Sequence, residues 1–251
     1  MRKLHVGFQG EFGAYSELAA EKVGTPVPFP SFERVFDAVL KQQVDCAAIP
    51  IANAVAGIVK ENAQLLWHFQ RRVKIVAETI IPISHCLIGL PESTIEKATE
   101  VHSHWQALAQ CQKFFRHHTH LKPIETYDTA GSAKILAKTG NTRQLVIASE
   151  HAAKQYGLCI LKHSINDVKW NKTQFYFIAR KASSLELSAK KEKSVVLCQS
   201  LSEIQRLIPR VLRCEAVPTR KRAFESHYLI EVSGEMVDSN STLLGMFGRI
   251  D

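Results

Sequence analysis

Ser31-Phe32-Glu33-Arg34-Val35-Phe36-Asp37-Ala38-Val39-Leu40, followed by the run Cys46-Ala47-Ala48-Ile49-Pro50-Ile51, decides the fold class. Phe32, Val35, Phe36, Val39 and Leu40 stand at offsets of 0, 3, 4, 7 and 8, which is one face of a helix. Ser31 is placed to cap it, its hydroxyl taking an orphan backbone N–H. The second run is apolar without alternation, the pattern of a strand buried on both faces in a parallel sheet. A helix laid against a doubly buried strand is the repeating unit of an α/β protein.

The same alternation extends in both directions. Leu4 to Phe8 reads as a strand, a glycine turn follows, and Ser16 to Lys22 reads as a short helix. Leu65, Leu66 and Phe69 predict another helix, and Val73 to Leu90 a long strand-rich stretch crossing between two lobes near Glu78-Thr79. The pattern then repeats: a strand closed by Val101, a helix over Gln106–Arg116, an extended Lys122–Thr126, and a helix over Ala130–Lys138. Strand Leu145–Ala148 and helix Glu150–Tyr156 come next, the helix stopped by Gly157. Phe175 to Ala179 is a last strand of this series. The expectation is two α/β lobes around a cleft with largely parallel sheets, one lobe from residues 1–77 and 166–182 and the other from 78–165. Residues 183–193, charged and small, read as a linker. Beyond them, strand Ser194–Cys198, helix Ser202–Arg213 and strands Glu215–Phe224 and His227–Val232 predict a small α+β module over 194–251.

Composition narrows the function. Hydrophobic residues make up 45% and charged residues 22% of the 251, the profile of an ordinary globular protein. No apolar run approaches the roughly 18 residues that cross a bilayer, and the N-terminus has no signal-peptide core. A cytoplasmic protein that engages no membrane is expected. The net charge is +8, from 32 basic and 24 acidic side chains. This charge is dispersed except for Arg116–Lys122, so a small anionic substrate fits it as well as a polynucleotide does, and a soluble surface with a positive bias explains it without either; no nucleic-acid partner is expected. The six cysteines include no Cys-x-x-Cys, and the 11 histidines lack a carboxylate or thiol partner at helical spacing, so no metal is expected.

Five polar turns sit at strand ends, where open α/β sheets bind ligands. They are Gly10-Glu11-Phe12-Gly13-Ala14-Tyr15-Ser16, Pro50-Ile51-Ala52-Asn53-Ala54, Ser103-His104-Trp105-Gln106-Ala107-Leu108-Ala109-Gln110-Cys111, Tyr127-Asp128-Thr129-Ala130-Gly131 and Asn171-Lys172-Thr173-Gln174-Phe175. Glycines admit a ligand to a helix start, Asn53 can hydrogen-bond a carboxylate or hydroxyl, and Ser103 stands where a helix cap would stand. A tight turn, a turn-forming Asn and a plain cap explain each of these as well. No nucleophile–base pair is evident.

As a set, in order and spacing, the five segments resemble prephenate dehydratase over about residues 3–181. The resemblance implies two lobes of the type II periplasmic-binding-protein kind and a C-terminal ACT-like domain. It implies a cofactor-free reaction, prephenate to phenylpyruvate with loss of water and carbon dioxide. It implies Thr173, Asn53, Ser103 and Gln110 as catalytic, and Gly13, Ala14, Tyr15, Thr129, Ala130, Gly131, Gln174 and Phe175 as substrate-binding. A homodimer or homotetramer is expected.

Several positions depart from the family pattern. Ala14, Ala52 and Ala54 replace hydroxyl or acidic residues, Trp105 replaces Pro, and Gln174 replaces an Arg that the family uses on the substrate. The C-terminal part lacks the family's Glu-Ser-Arg-Pro segment and has a shortened last helix, so a phenylalanine effector is expected to bind weakly or not at all. Arogenate dehydration, or a catalytically impaired carboxylate-binding protein in the same cleft, are the alternatives.

Overall fold

The computed structural model describes residues 3–187, 190–218, 225–234 and 242–251. The first lobe runs β1 (His5–Gln9), α1 (Tyr15–Glu21), β2 (Thr25–Phe29), α2 (Phe32–Leu40), β3 (Cys46–Asn53), β4 (Gly57–Ile58), α3 (Lys60–His68) and β5 (Val73–Pro82). The second runs β6 (Cys86–Gly89), β7 (Glu100–His104), α4 (Trp105–Ala109), α5 (Gln112–His117), β8 (Lys122–Thr126), α6 (Thr129–Thr139), β9 (Gln144–Ala148), α7 (Glu150–Tyr156) and β10 (Cys159–Lys162). The chain then returns to the first lobe as β11 (Lys172–Arg180). It continues through β12 (Lys193–Cys198), α8 (Leu201–Gln205), β13 (Val211–Pro218), β14 (Ser226–Ser233) and β15 (Thr242–Phe247).

The first sheet has the order β2-β1-β3-β11-β5, with β4 against β3, and the second β10-β6-β9-β7-β8. The central β3 is buried as its composition requires. Ala47, Ile49 and Ile51 pack under Val35, Phe36 and Val39 of α2. Cys46 and Ala48 face α1 through Ala19 and Ala20. Removing a side chain such as Phe36 from water stabilises the lobe by about 1.5–3 kcal/mol. Ser31 caps α2, its hydroxyl accepting the Arg34 N–H, and Gly157 ends α7 at φ +65°.

Two α/β lobes around a cleft are present, but the sheets are mixed. β11 runs antiparallel to both β3 and β5, and β6 antiparallel to β9 and β10. β5 stays paired with β11 as far as Pro82, so the crossing falls after Pro82 and not at Glu78. The helix expected over Gln106–Arg116 breaks into α4 and α5. The Gln110 carbonyl, which the next helical N–H would need, instead accepts Asp167 N–H at 2.7 Å.

The C-terminal part departs further. The helix expected over Ser202–Arg213 is only α8, because Pro209 has no N–H to continue it. The chain passes through a 3₁₀ turn at Ile208–Arg210 into β13. Residues 219–224 of the expected strand Glu215–Phe224, and 235–241 where the last helix was sought, lie outside the described residues. The third sheet, β13-β14-β12-β15, is antiparallel throughout. It is joined to the first lobe by packing. Val195, Leu197, Leu229, Leu244 and Phe247 share one core with Ile75 and Tyr176. Glu78 exchanges backbone hydrogen bonds with Gly248 and Ile250. Residues read as linker also pack: Leu185 and Leu187 lie against the first lobe, and Lys74 Nζ holds the Ser183 carbonyl at 2.6 Å.

Candidate active site

A cleft of about 800 Å³ lies between the first two sheets. Asn53 reaches it from the end of β3, Thr173 and Phe175 from the start of β11, Ala14 and Tyr15 from the start of α1. The second lobe brings Gln110 from behind α4 and Thr129 from α6, and the crossing segment brings His85.

Strand pairing sets Thr173 opposite Asn53. The Asn53 amide is oriented unambiguously, because its Oδ1 accepts the N–H groups of Val55 and Ala56 at 3.0 and 2.8 Å. Its Nδ2 is therefore the donor, its two hydrogens shared among Asn171 Oδ1 at 2.8 Å, Thr173 Oγ1 at 3.0 Å and the Lys172 carbonyl at 3.2 Å. Asn171, 2% exposed, then turns its own Nδ2 to Gln110 Oε1 at 2.9 Å. Gln110 Oε1 also meets His85 Nε2 at 3.1 Å. An amide oxygen only accepts, so His85 carries its proton on Nε2. Burial pushes the His85 pKa down to about 4, against a smaller upward pull from Gln110, and the ring is neutral. Its Nδ1 lies 3.4 Å from the Tyr15 hydroxyl, which donates to the Ser84 carbonyl at 2.7 Å. Burial also raises the Tyr15 pKa.

The polarity of this array has one consequence. Thr173 Oγ1 accepts from Asn53 and lines the cleft, so its hydroxyl can still donate there. The machinery is neutral throughout. Lys60, Glu61 and Asp128 are the ionisable Lys, Asp and Glu side chains on the cleft wall. Burial raises the Asp128 pKa and lowers that of His104.

The expected residues divide. Asn53, Gln110, Thr173, Ala14, Tyr15, Thr129 and Phe175 line the cleft. Ser103 does not. It is fully buried and donates to the Ile147 carbonyl at 2.6 Å, because strand alternation puts it with Val101 on the inner face of β7. The cap of α4 is His104, whose Nδ1 accepts the Gln106 N–H. Gly13, at φ +94°, presses on α7; a Cβ there would lie 2.7 Å from Ala152 Cα. Its carbonyl accepts the Ser149 hydroxyl at 2.6 Å, so it joins the lobes rather than lining the cleft. Ala130 is buried in the second lobe, and Gly131 donates its N–H to Asp128 Oδ1. Gln174 faces away, toward Glu78 and Glu231, and does not reach the substrate space.

His85 has no place in the five segments, and Asn171 opens the fifth without a role of its own. The available signal was positional: a lone His inside the apolar run Ile80–Leu90, and an Asn two residues before Thr173. The lobes also touch through Glu11–Lys134 at 2.7 Å, Tyr156 to the Phe12 carbonyl at 2.7 Å, and Glu17–His151 at 2.9 Å. Glu17, Glu21 and His151 lie close enough to share a cation. Glu17 Oε2, however, is already taken by His151 and by the Gly13 N–H.

The chain matches known proteins over the part that builds this cleft. Residues 6–183 fit the family model described as prephenate dehydratase. An Arabidopsis thaliana protein named arogenate dehydratase/prephenate dehydratase 1, chloroplastic, is 40% identical over 181 residues, 71% of this chain and 45% of that protein. The chain thus spans less than half the length of that relative. A Komagataeibacter europaeus protein named bifunctional N-acyl-homoserine lactone acylase/prephenate dehydratase is 33% identical over 183 residues, 72% of this chain and 64% of that protein. The solved prephenate dehydratase of Arthrobacter aurescens, in complex with L-Phe, superposes with a TM-score of 0.85 at 21% identity, covering 99% of this chain and 91% of the other. With the family model spanning most of the chain and the cleft built from the segments that carry its pattern, this chain belongs to the prephenate dehydratase family.

Proposed function

We propose that the cleft converts prephenate to phenylpyruvate. Breaking the bond between the ring and its carboxylate supplies the electron pair that completes the aromatic ring, carbon dioxide leaves, and the ring hydroxyl departs as hydroxide. Charge develops on the departing oxygen, and Thr173 donates a hydrogen bond to it. Such a donor, fixed before the reaction, stabilises the transition state more than the ground state. The Asn53–Thr173 contact carries this reading, because an amide nitrogen can only donate and the threonine proton is not used in it. Asn53 and Gln110 hold the donor in place, Tyr15, Thr129 and Phe175 bound the substrate, and no cofactor takes part. Purified protein incubated with prephenate should release phenylpyruvate. Binding without turnover would favour the catalytically impaired carboxylate binder.

A second substrate is favoured by the charge on the wall. One lysine, Lys60, stands with two carboxylate residues, Glu61 and Asp128, on the cleft wall. Arogenate carries an ammonium where prephenate carries a keto group, and such a wall suits it. An arogenate assay in parallel, read as phenylalanine, separates the two. A third arm with an N-acyl-homoserine lactone tests the other activity in the name of the Komagataeibacter europaeus relative.

Residues 1–182 form the catalytic unit in this reading, and 194–251 an ACT-like module for assembly. Its edge strand β13 leaves Leu212 exposed, and an open edge of this kind is commonly covered by a second copy. That favours a homodimer or homotetramer. Among the described residues no helix is long and apolar enough to cross a membrane, and a cytoplasmic location is the simplest setting. Phenylalanine, which the Arthrobacter aurescens structure holds, is expected to bind this chain weakly.

A further inference from the structure

Position 174 is turned away from the cleft into a second buried polar cluster. Gln174 Nε2 donates to Glu78 Oε2 at 2.6 Å and to Glu231 Oε1 at 2.8 Å. The two carboxylates are 1% and 5% exposed. Glu78 Oε1 receives Lys193 at 2.8 Å and Arg249 at 3.4 Å. Glu231 Oε1 receives Arg213 at 2.8 Å and the Tyr176 hydroxyl. Glu78 stands on β5 of the first lobe, and Glu231 on β14 of the C-terminal sheet. The Gln174 amide bridges them.

The residue before it is Thr173. The ladder between β11 and β3 slips immediately after Gln174, which opposes Ala52 while Phe175 opposes Pro50. The residue left without a partner is Ile51 on β3, so the ladder is loosened on the β3 side of Thr173 while the ladder between β11 and β5 stays in register from Lys172 to Phe177. On the opposite face from Thr173, Gln174 ties this stretch of β11 to the C-terminal sheet through Glu231. From this geometry we propose that Gln174 is a positioning residue through which the C-terminal sheet aims Thr173 into the cleft. The inference rests on the dehydratase reading of that cleft, and it assigns the C-terminal sheet a part in the chemistry as well as in assembly.

Full-length Gln174→Leu and Glu231→Leu test it. Each should lower kcat by about tenfold to a hundredfold, the scale of a displaced catalytic group, with KM within about twofold. Glu231→Gln keeps an Oε1 acceptor and should recover most of the rate. The Gln174→Leu/Glu231→Leu double variant should be no slower than either single change, because both cut one connection. A Glu231→Leu enzyme with unchanged kcat, or a double variant whose losses multiply, would overturn the proposal. Hydrogen exchange supplies a readout independent of turnover. Glu231→Leu should speed exchange over residues 172–175 while leaving β9 in the second lobe unchanged, and no acceleration there would also overturn it. If the unmodified protein turns over neither prephenate nor arogenate, the dehydratase reading fails by itself. The exchange result then decides whether the sheet holds the strand.

Discussion

The two faces of β11 solve opposite problems with adjacent residues. On the cleft face, Asn53 holds Thr173 and is linked in turn through Asn171 and Gln110 to His85, all neutral hydrogen-bonding groups. On the other face, Gln174 and Tyr176 meet the carboxylates of Glu78 and Glu231, balanced by Lys193, Arg213 and Arg249. Neutral amides fix where protons lie without adding a field that would compete with an anionic substrate. Buried ion pairs contribute little net stability, but removing one partner is costly, so they enforce a single docking arrangement. Proton placement is thus kept on one face and domain registration on the other.

The division breaks most sharply at Thr173. Thr173→Ala removes the free donor and leaves the ionic face intact. Activity should fall about a hundredfold to a thousandfold, the usual effect of losing one preorganised donor. The thermal midpoint should barely change. Full activity in this variant would show that the donor to the leaving group is elsewhere.

Reversing the polarity of the neutral array is the next largest effect. Asn171→Asp replaces the donor facing Gln110 Oε1 with an acceptor, so two oxygens oppose one another across 2.9 Å. A buried group denied its partner costs about 1–3 kcal/mol, equivalent to roughly fivefold to a hundredfold or more in kcat if the strain falls on Thr173. Steady-state kinetics with unchanged secondary structure checks this. An Asn171→Asp enzyme as fast as the original would mean that the array's direction does not matter.

Neutrality also predicts a pH response. The folded pKa of His85 is lowered to about 4 by burial, against an unfolded value near 6.5. Above pH 6.5 neither state binds the proton and nothing changes. As pH falls below that, the unfolded state gains it first, so stability is lost between about 6.5 and 4. Between pH 7 and 5 this site should cost about 2 kcal/mol. Denaturant midpoints at the two pH values, compared between the unmodified protein and His85→Gln, isolate the contribution. Equal pH sensitivity in the two proteins would mean that His85 ionises normally in the fold.

What was legible in the sequence followed from local patterns. The helical face of Phe32–Leu40 and the unbroken run after it placed α2 on β3, and both survived because each is satisfied by its immediate neighbours. Asn53, Gln110 and Thr173 line the cleft; strand-end turns drew attention to their segments, and the resemblance to prephenate dehydratase picked out the residues. Ser103 was expected at the site from the resemblance and as a helix cap from its place before α4, whereas strand alternation carries it inside the sheet and His104 caps the helix. The helix over Ser202–Arg213 was extended through Pro209, which ends it. His85 and Asn171 were hidden because their role comes from partners distant in the chain, Gln110 from His85 and Asn53 from Asn171. Gln174 was assigned to the wrong face: its neighbours Thr173 and Phe175 reach the cleft, and alternation sends the residue between them to the opposite side.

That reassignment carries the smallest expected effect. An arginine facing a carboxylate substrate would exchange a neutral hydrogen bond worth roughly 1 kcal/mol for a charge-assisted one worth about 1.5–3 kcal/mol. KM for prephenate would then fall by a few-fold to about thirtyfold. The structure predicts no such gain from Gln174→Arg. The new guanidinium would enter the joint, where Lys193, Arg213 and Arg249 already face two carboxylates. It would add a fourth cation to the three that already face two carboxylates and must shed its own water to do so. The expected outcome is a KM for prephenate within about twofold of the original and a stability loss on the order of 1 kcal/mol, the centre of the range for single substitutions. Kinetics and a denaturant midpoint on the same preparation check both parts. A tenfold lower KM with undiminished stability would place position 174 in the cleft, and the two faces of β11 could no longer be assigned separate tasks.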